Sequence, residues 1–85
     1  MEYVYVLWSE KLKKRYVGST TDVEHRVAEH NTGQSEFTRR GIPWMLVYWE
    51  ELLTRSEARK RERFLKSGVG RKWLDETLPK YRRGA

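Results

Sequence analysis

The chain has 85 residues, enough for one domain but not for two, and it has no cysteine, which excludes disulfides, thiolate zinc sites and a catalytic thiol. No apolar run approaches the roughly 20 residues of a membrane helix, and the N-terminus lacks the pattern of a secretory signal, so we expect a cytoplasmic protein. A net charge of +6 suggests a polyanionic partner, although solubility alone would also account for it.

The first two predicted elements are strands. Residues 3–8 are a short run of β-branched and aromatic side chains, and residues 15–18 form a second run after the polar residues 9–14. We expect the two strands to pair as an antiparallel hairpin with a longish loop.

A helix is predicted to follow the hairpin. Thr21 and Glu24 have the spacing of a capping box, in which each side chain bonds the other residue's backbone amide. The helix should extend to about residues 30–31, with Gly33 as its stop signal. Residues 34–43 are polar and basic, which indicates a loop.

The strongest strand signal lies at residues 44–49. Both alternating sets of positions are apolar, so we expect this strand to be sandwiched between two layers. Thr54 and Glu57 repeat the capping-box spacing and open a second helix that should end near Lys66.

Two glycines are predicted to separate the second helix from a third. Gly68 and Gly70 should break the helix, residues 71–78 should form a short new one, and Pro79 should end it. The element order is then β-β-α-β-α-α. A small three-stranded sheet with helices packed against it is the economical architecture for that order.

Four polar residues on these elements are candidates for chemistry. Tyr5 and Tyr16 lie in the paired strands, where tyrosines usually serve packing. Arg26 and His30 are four apart and share a helix face, from which both could contact one phosphate. An exposed polar face explains the same spacing, and these two residues alone favour that reading.

Glu62 is unusual for its place in the pattern. Ala58, Glu62 and Leu65 have the spacing of a buried helical stripe, with a carboxylate in the middle of it. A half-buried carboxylate needs a bound cation or an ion pair. Arg59 and Lys66 are close enough along the helix to supply the ion pair instead.

Several basic residues could contact phosphates in a nonspecific way. A solvated charged face is the ordinary explanation for each of them. They are Arg39 and Arg40 in the loop, and Arg59, Arg63, Arg71 and Lys72 further along the chain.

Five short motifs follow one another along the chain. They are Tyr3-Val4-Tyr5, Tyr16-Val17-Gly18, residues 20–26 with His30, residues 37–39, and residues 62–66. Together they resemble the GIY-YIG nuclease superfamily, in particular its small single-domain bacterial branch, which is related to the nuclease domain at the N-terminus of a bacterial excinuclease.

The resemblance implies an α+β fold in which a three-stranded antiparallel sheet is flanked by helices. It covers about residues 3–74, so we expect a single domain over residues 1–85 that ends in a basic tail at residues 75–85. It also implies a metal-dependent endonuclease that hydrolyses phosphodiester bonds in nucleic acid. DNA is favoured over RNA, with weak sequence preference, in repair or recombination.

The resemblance also implies a role for each site residue. Glu62 would hold a divalent cation, Mg²⁺ or Mn²⁺, and Arg26 would stabilise the charge of the phosphorane. Tyr5 and Tyr16 would position or deprotonate the attacking water, and which of them is the base stays open. His30 would assist proton transfer or orient the phosphate.

Gly18 would let the backbone pass close to the site.

Two departures from the family keep an alternative open. Many family nucleases carry an asparagine after the glutamate, whereas the one asparagine of this chain is Asn31. The chain also has no room for a separate domain that selects DNA. The alternative is a nucleic-acid-binding module with weak or no catalysis, and a third reading is a protein-interaction domain.

Overall fold

The computed structural model describes residues 1–82 and shows the strands and helices in the predicted order. The strands are β1 (Glu2–Ser9), β2 (Lys14–Thr20) and β3 (Trp44–Leu52). The helices are α1 (Val23–Asn31), α2 (Arg55–Lys66) and α3 (Gly68–Thr77), with short 3₁₀ turns at Arg39–Gly41 and Pro79–Tyr81. The predicted α+β fold with a three-stranded antiparallel sheet is confirmed. Every helix within residues 1–82 is too short or too polar to cross a lipid bilayer.

β1 is the central strand of the sheet, and both β2 and β3 pair with it in antiparallel fashion. From Val4 to Trp8 its side chains are at most 2% exposed. β3 contributes to the hydrophobic cores on both faces of the sheet, with Trp44 in one and Val47 and Tyr48 packed on the other, as predicted for a strand between two layers. It is nevertheless an edge strand, and Met45 and Trp49 are about half exposed. Apolar residues on both faces indicate a strand, but its place in the sheet depends on long-range pairing.

Alternating side chains of β1 enter two separate hydrophobic cores. On one face, Val4 and Val6 pack against α2 and α3 through Ala58, Leu65 and Leu74. On the other face, Tyr5 and Leu7 form a cluster with Trp44, and the partly buried side chains packed on it include Val23 and Val27 of α1. The sheet therefore lies between α1 on one side and the α2–α3 pair on the other.

The first two helices begin at side-chain caps, one of them displaced from its predicted position. Thr54 caps α2 as predicted, because its side chain accepts a hydrogen bond from the Glu57 amide at 3.1 Å. The cap of α1 is Asp22 and not Thr21: its carboxylate accepts from the His25 amide at 3.1 Å. A carboxylate one residue along provides the same bond and shifts the helix start by one position.

α3 begins three residues before the predicted start. Ser67 is its cap and accepts a hydrogen bond from the Gly70 amide at 3.2 Å. The predicted break after α2 is present, but it lies at Ser67, and Gly68 and Gly70 lie inside the first turn of α3 and do not break a helix. Gly70 packs against the backbone at the end of α2, where a Cβ atom would collide with Phe64 and Leu65.

The segment after residue 74 packs against the hairpin, although a basic tail was expected at residues 75–85. Asp75 accepts a hydrogen bond from Arg15 of β2 at 2.9 Å, and the Tyr81 ring lies 5.7 Å from the Trp8 ring. The structure therefore extends the packed part of the chain to Tyr81. The last three residues of the expected tail, 83–85, lie outside the described residues.

Candidate active site

A cleft of about 480 Å³ lies at the C-terminal end of β2, between α1 and α2. Successive strand residues point to opposite faces, so Tyr16 and Gly18 face α1 while Ser19 faces α2. The cleft thereby includes side chains from both faces of the sheet. The predicted site residues that line it are Tyr5, Tyr16, Gly18, Arg26, Arg59 and Glu62.

The pairing of β1 with β2 places the two tyrosine rings. Tyr5 lies opposite Gly18 and Tyr16 lies opposite Leu7, and the ring centroids are 6.3 Å apart. A Cβ atom at Gly18 would lie 2.5 Å from Tyr5 Oη and 3.1 Å from Tyr16 Cε2. The position therefore needs glycine because both rings cross over it.

His30 lies behind the tyrosines and does not line the cleft. Its ring is 1% exposed, its Nε2 is 3.0 Å from Tyr5 Oη, and its Nδ1 is 2.8 Å from Thr38 Oγ1. Burial and the nearby Arg26 charge lower the pKa of His30 below its usual range, which favours a neutral ring at neutral pH. The structure thus separates His30 from Arg26: only Arg26 reaches the cleft surface.

Arg26 brings positive charge to the cleft beside Tyr5. Its Nη1 is 3.3 Å from Glu29 Oε1, and its side chain is 40% exposed, so most of its donors remain available to a ligand. Burial raises the pKa of the Tyr5 hydroxyl to about 12, although the Arg26 charge acts to lower it. Tyr5 therefore keeps its proton at neutral pH.

Glu62 projects from α2 into the cleft, with its side chain 22% exposed. Ser19 Oγ donates to one carboxylate oxygen at 2.7 Å, and Lys66 Nζ donates to the other at 2.6 Å. Burial alone would raise the pKa of Glu62, but the hydrogen bonds from Lys66 and Ser19 outweigh it and hold that pKa below its usual range. The carboxylate is therefore ionised at neutral pH.

Two carboxylates line the cleft, Glu2 and Glu62, and such a donor set fits a hard divalent cation. Within residues 1–82, no group of three or more His, Asp or Glu side chains could hold a metal ion. Mg²⁺ commonly binds proteins through one or two carboxylates and keeps several waters. An ionised, half-buried carboxylate at an open cleft meets that requirement, with water and phosphate oxygens as the remaining ligands.

A comparison with protein-family models matches residues 1–75 to the GIY-YIG catalytic domain. The chain belongs to the GIY-YIG family. A UPF0213 protein of Haloquadratum walsbyi is 46% identical over 66 residues, which cover 76% of this chain and 73% of that protein. A UPF0213 protein of Staphylococcus haemolyticus is 41% identical over 66 residues, which cover 76% of this chain and 79% of that protein. No solved structure matches the chain.

Membership in the GIY-YIG family supports a nuclease-type function that acts on nucleic acid. Nucleases of this family generally use divalent metals, which agrees with the donor set around Glu62. The relatives are small stand-alone GIY-YIG proteins from both bacteria and archaea, so the branch that the sequence resembles extends beyond bacteria.

The predicted basic residues occupy different parts of the GIY-YIG domain. Arg59 lines the cleft, and Arg71 lines a neighbouring groove that shares Tyr16 with it. The others are exposed and contribute to neither surface: Arg39, Arg40, Arg63 and Lys72.

Several residues of the GIY-YIG cleft and its supporting layer were not predicted as site residues, among them Ser19, Thr38 and Arg55, and also Glu2, Thr20 and Thr21 in the cleft lining. Ser19 holds the Glu62 carboxylate, Thr38 holds the His30 ring, and Arg55 lines the cleft beside Arg59. Ser19 directly follows the second signature motif and Thr38 lies in the motif at residues 37–39, so their positions offered a signal. Their partners, 43 and 8 residues away, did not follow from local spacing.

Proposed function

We propose that this GIY-YIG protein is a metal-dependent endonuclease that hydrolyses phosphodiester bonds in DNA, in preference to RNA, with weak sequence preference. Repair or recombination is the setting we propose for this activity. The observation that carries the proposal is the convergence of Tyr16, Arg26 and Glu62 on one cleft. Tyr16 is the candidate base, the Arg26 guanidinium can bind a phosphate, and Glu62 is an ionised carboxylate, and all three line the same cleft.

Arg26 would bind the scissile phosphate and stabilise the negative charge that grows in the transition state. Its guanidinium offers several N–H donors, and within residues 1–82 Glu29 and the Tyr5 hydroxyl oxygen accept from part of this set. Tyr5 would act as a hydrogen-bond donor, because burial keeps its hydroxyl protonated at neutral pH. Tyr16 would then be the residue that positions or deprotonates the attacking water.

Glu62 would hold the Mg²⁺ or Mn²⁺ ion, which when bound supplies positive charge to the phosphoryl and leaving oxygens. Ser19 and Lys66 hold the carboxylate in place from two directions. The Lys66 ammonium also balances the glutamate charge when no cation is present. Arg55 and Arg59, on the first turns of α2, would attract the flanking phosphates.

The test is cleavage of labelled single-stranded, duplex and branched DNA, and of RNA, with Mg²⁺, with Mn²⁺ and with EDTA. Glu62→Gln is the matched control, since it keeps the size of the side chain and removes its charge. We expect metal-dependent cleavage of a DNA substrate that the variant loses. Cleavage that persists in EDTA or in the Glu62→Gln protein would contradict the proposed mechanism.

One observation favours a second candidate, a nucleic-acid-binding module with little or no catalysis. Glu62 is already paired with Lys66 and hydrogen-bonded by Ser19, so its charge is balanced without a metal ion. A binder of this kind would show salt-sensitive affinity for nucleic acid that is the same in the wild type and in Glu62→Gln, and no cleavage by either protein.

A further inference from the structure

Three buried polar side chains form one hydrogen-bonded line that ends at the cleft. Thr38 Oγ1 is 2.8 Å from His30 Nδ1, and His30 Nε2 is 3.0 Å from Tyr5 Oη. Each of the three residues is 1% exposed. Tyr5 is the member that lines the cleft, so the direction of the hydrogen bonds decides what Tyr5 presents to a ligand.

A neutral histidine carries one ring proton, so two arrangements are open. In the first, His30 Nδ1–H donates to Thr38 and the Tyr5 hydroxyl donates to Nε2. In the second, the Thr38 hydroxyl donates to Nδ1, Nε2–H donates to Tyr5, and the Tyr5 hydroxyl is left to donate elsewhere.

Counting the donors separates the two arrangements. Within residues 1–82, His30 Nδ1 is the one hydrogen-bond partner of the Thr38 hydroxyl. In the first arrangement that hydroxyl proton is buried without an acceptor, which costs about 1–3 kcal/mol. In the second arrangement every proton of the line has an acceptor or faces the cleft.

The surroundings of both ends agree with the second arrangement. The Thr38 backbone is anchored on both sides, since its amide donates to Ser35 O at 3.3 Å and its carbonyl accepts from Trp44 Nε1 at 2.6 Å. At the other end, the Arg26 charge acts on the Tyr5 hydroxyl oxygen. An oxygen that faces a cation and an N–H group turns its own proton away from both.

We infer that Thr38 is a positioning residue: its hydroxyl donates to His30 Nδ1, places the ring proton on Nε2, and so directs the Tyr5 hydroxyl proton into the cleft. The recipient is a non-bridging oxygen of the bound phosphodiester, a step that rests on the proposed nuclease function. The hydrogen-bonded line of Thr38, His30 and Tyr5 gives the two tyrosines different roles. Tyr5 donates a hydrogen bond to phosphate, and Tyr16 is left to act on the water.

The first test reads the histidine tautomer directly. In nitrogen-15-labelled protein near neutral pH, long-range proton–nitrogen correlation distinguishes protonated from unprotonated ring nitrogens. The chain has two histidines, and His25→Gln assigns the signals. We expect His30 to carry its proton on Nε2, with Nδ1 unprotonated. A proton on Nδ1, or an equal mixture of tautomers, overturns the inference.

The second test removes the Thr38 donor while keeping its shape. Thr38→Val leaves His30 Nδ1 without a hydrogen-bond partner and should shift the Nδ1 resonance, whereas Thr38→Ser should retain the wild-type signals. In cleavage assays Thr38→Val should lower kcat about tenfold, the size of one neutral hydrogen bond, with KM little changed and activity restored by serine. An unchanged Nδ1 resonance, or an unchanged kcat in an active protein, in folded Thr38→Val overturns the inference.

The two tests separate this inference from the proposed function. The tautomer is measured without substrate, so a protein that cuts nothing can still confirm the hydrogen-bond direction. Active protein with the ring proton on Nδ1 would retain the nuclease and discard the role of Thr38. If Thr38→Val does not fold, the spectra of the wild type and of Thr38→Ser decide.

Discussion

At the scale of single residues, the candidate site depends on side chains that hold one another in place. Gly18 leaves room for the rings of Tyr5 and Tyr16, and His30 supports Tyr5 from behind. Each of these contacts is short and specific. Small changes at this scale should therefore affect activity more than they affect folding.

Gly18→Ala tests this expectation most directly. The added methyl group would lie 2.5 Å from Tyr5 Oη, so the ring must move out of its position. We expect a stability loss of about 1–3 kcal/mol from overpacking and a loss of turnover of about 100-fold from misplacement of the ring. Thermal melting and kcat measured on the same preparation check the prediction, and a variant that keeps full activity would show that ring placement is not critical.

Arg26→Ala should remove stabilisation that is needed only in the transition state. We expect kcat to fall about 10²–10³-fold, as for loss of an oxyanion-hole donor, while the affinity for uncleaved substrate changes little. Lys11→Ala is the control, because it removes one positive charge at an exposed position of the hairpin loop. Equal losses in the two variants would reduce the role of Arg26 to general charge.

The buried neutral His30 should make stability depend on pH. Its pKa is lowered in the folded protein, first by burial and then by Arg26, whereas the unfolded chain titrates near pH 6.5. As the pH falls below about 6.5, the unfolded state binds the proton before the folded state does. The free energy of unfolding therefore decreases between about pH 6.5 and the lower folded-state pKa of His30.

The measurement is the melting temperature between about pH 7.5 and about pH 5. His30→Gln should show a shallower decline than the wild type, and His25→Gln, which removes the exposed histidine, should follow the wild type. Parallel curves for the wild type and His30→Gln would mean that His30 does not contribute to the acid sensitivity.

At the scale of secondary-structure elements, the junction of α2 and α3 sets the position of Glu62. α2 ends at Lys66 and α3 begins at Gly68, so Ser67 alone turns the chain between them. Leu65 of α2 and Leu74 of α3 pack in the core against the sheet. The junction therefore fixes the rotation of α2 that directs Glu62 into the cleft.

Two glycines in the first turn of α3 form a matched pair for testing the junction. Gly70→Ala places a methyl group against the backbone of Phe64 and Leu65, so the helices must separate, whereas a Cβ atom at Gly68 has no neighbour within 4 Å. We expect Gly70→Ala to destabilise by roughly 1–3 kcal/mol or more and Gly68→Ala to be neutral or to stabilise by about 0.4–1 kcal/mol. Urea unfolding of both proteins is the measurement, and similar midpoints would refute tight packing at Gly70.

At the scale of the whole molecule, the net charge of +6 is spread over several surfaces. Arg55 and Arg59 line the cleft, while Arg39 and Arg40 lie in the 3₁₀ turn and do not line it. Charge alone does not show which of the two pairs contacts phosphates. Their different locations allow the path of the bound strand to be tested.

The test compares two double variants that remove the same charge. Arg55→Ala with Arg59→Ala should lower the slope of log affinity against log salt by about 2, one for each lost phosphate contact. Arg39→Ala with Arg40→Ala should lower it less. DNA binding by Glu62→Gln protein at several salt concentrations provides the slopes. A larger effect of the Arg39 and Arg40 pair would place the strand over the 3₁₀ turn.

Local patterns in the sequence determined the order of the elements, the extent of α2 with its Thr54 cap, and the motifs that indicate the family. These features follow from interactions between residues a few positions apart, such as side-chain periodicity and capping. The tertiary structure alone decided that β1 is the central strand, that His30 lies behind Tyr5, and that Ser19 holds Glu62, whereas the Lys66–Glu62 pair follows from helical spacing. Strand pairing and helix packing bring together residues that are far apart in the chain. Local spacing does not specify how the elements are oriented, so it does not specify which of these residues form hydrogen bonds.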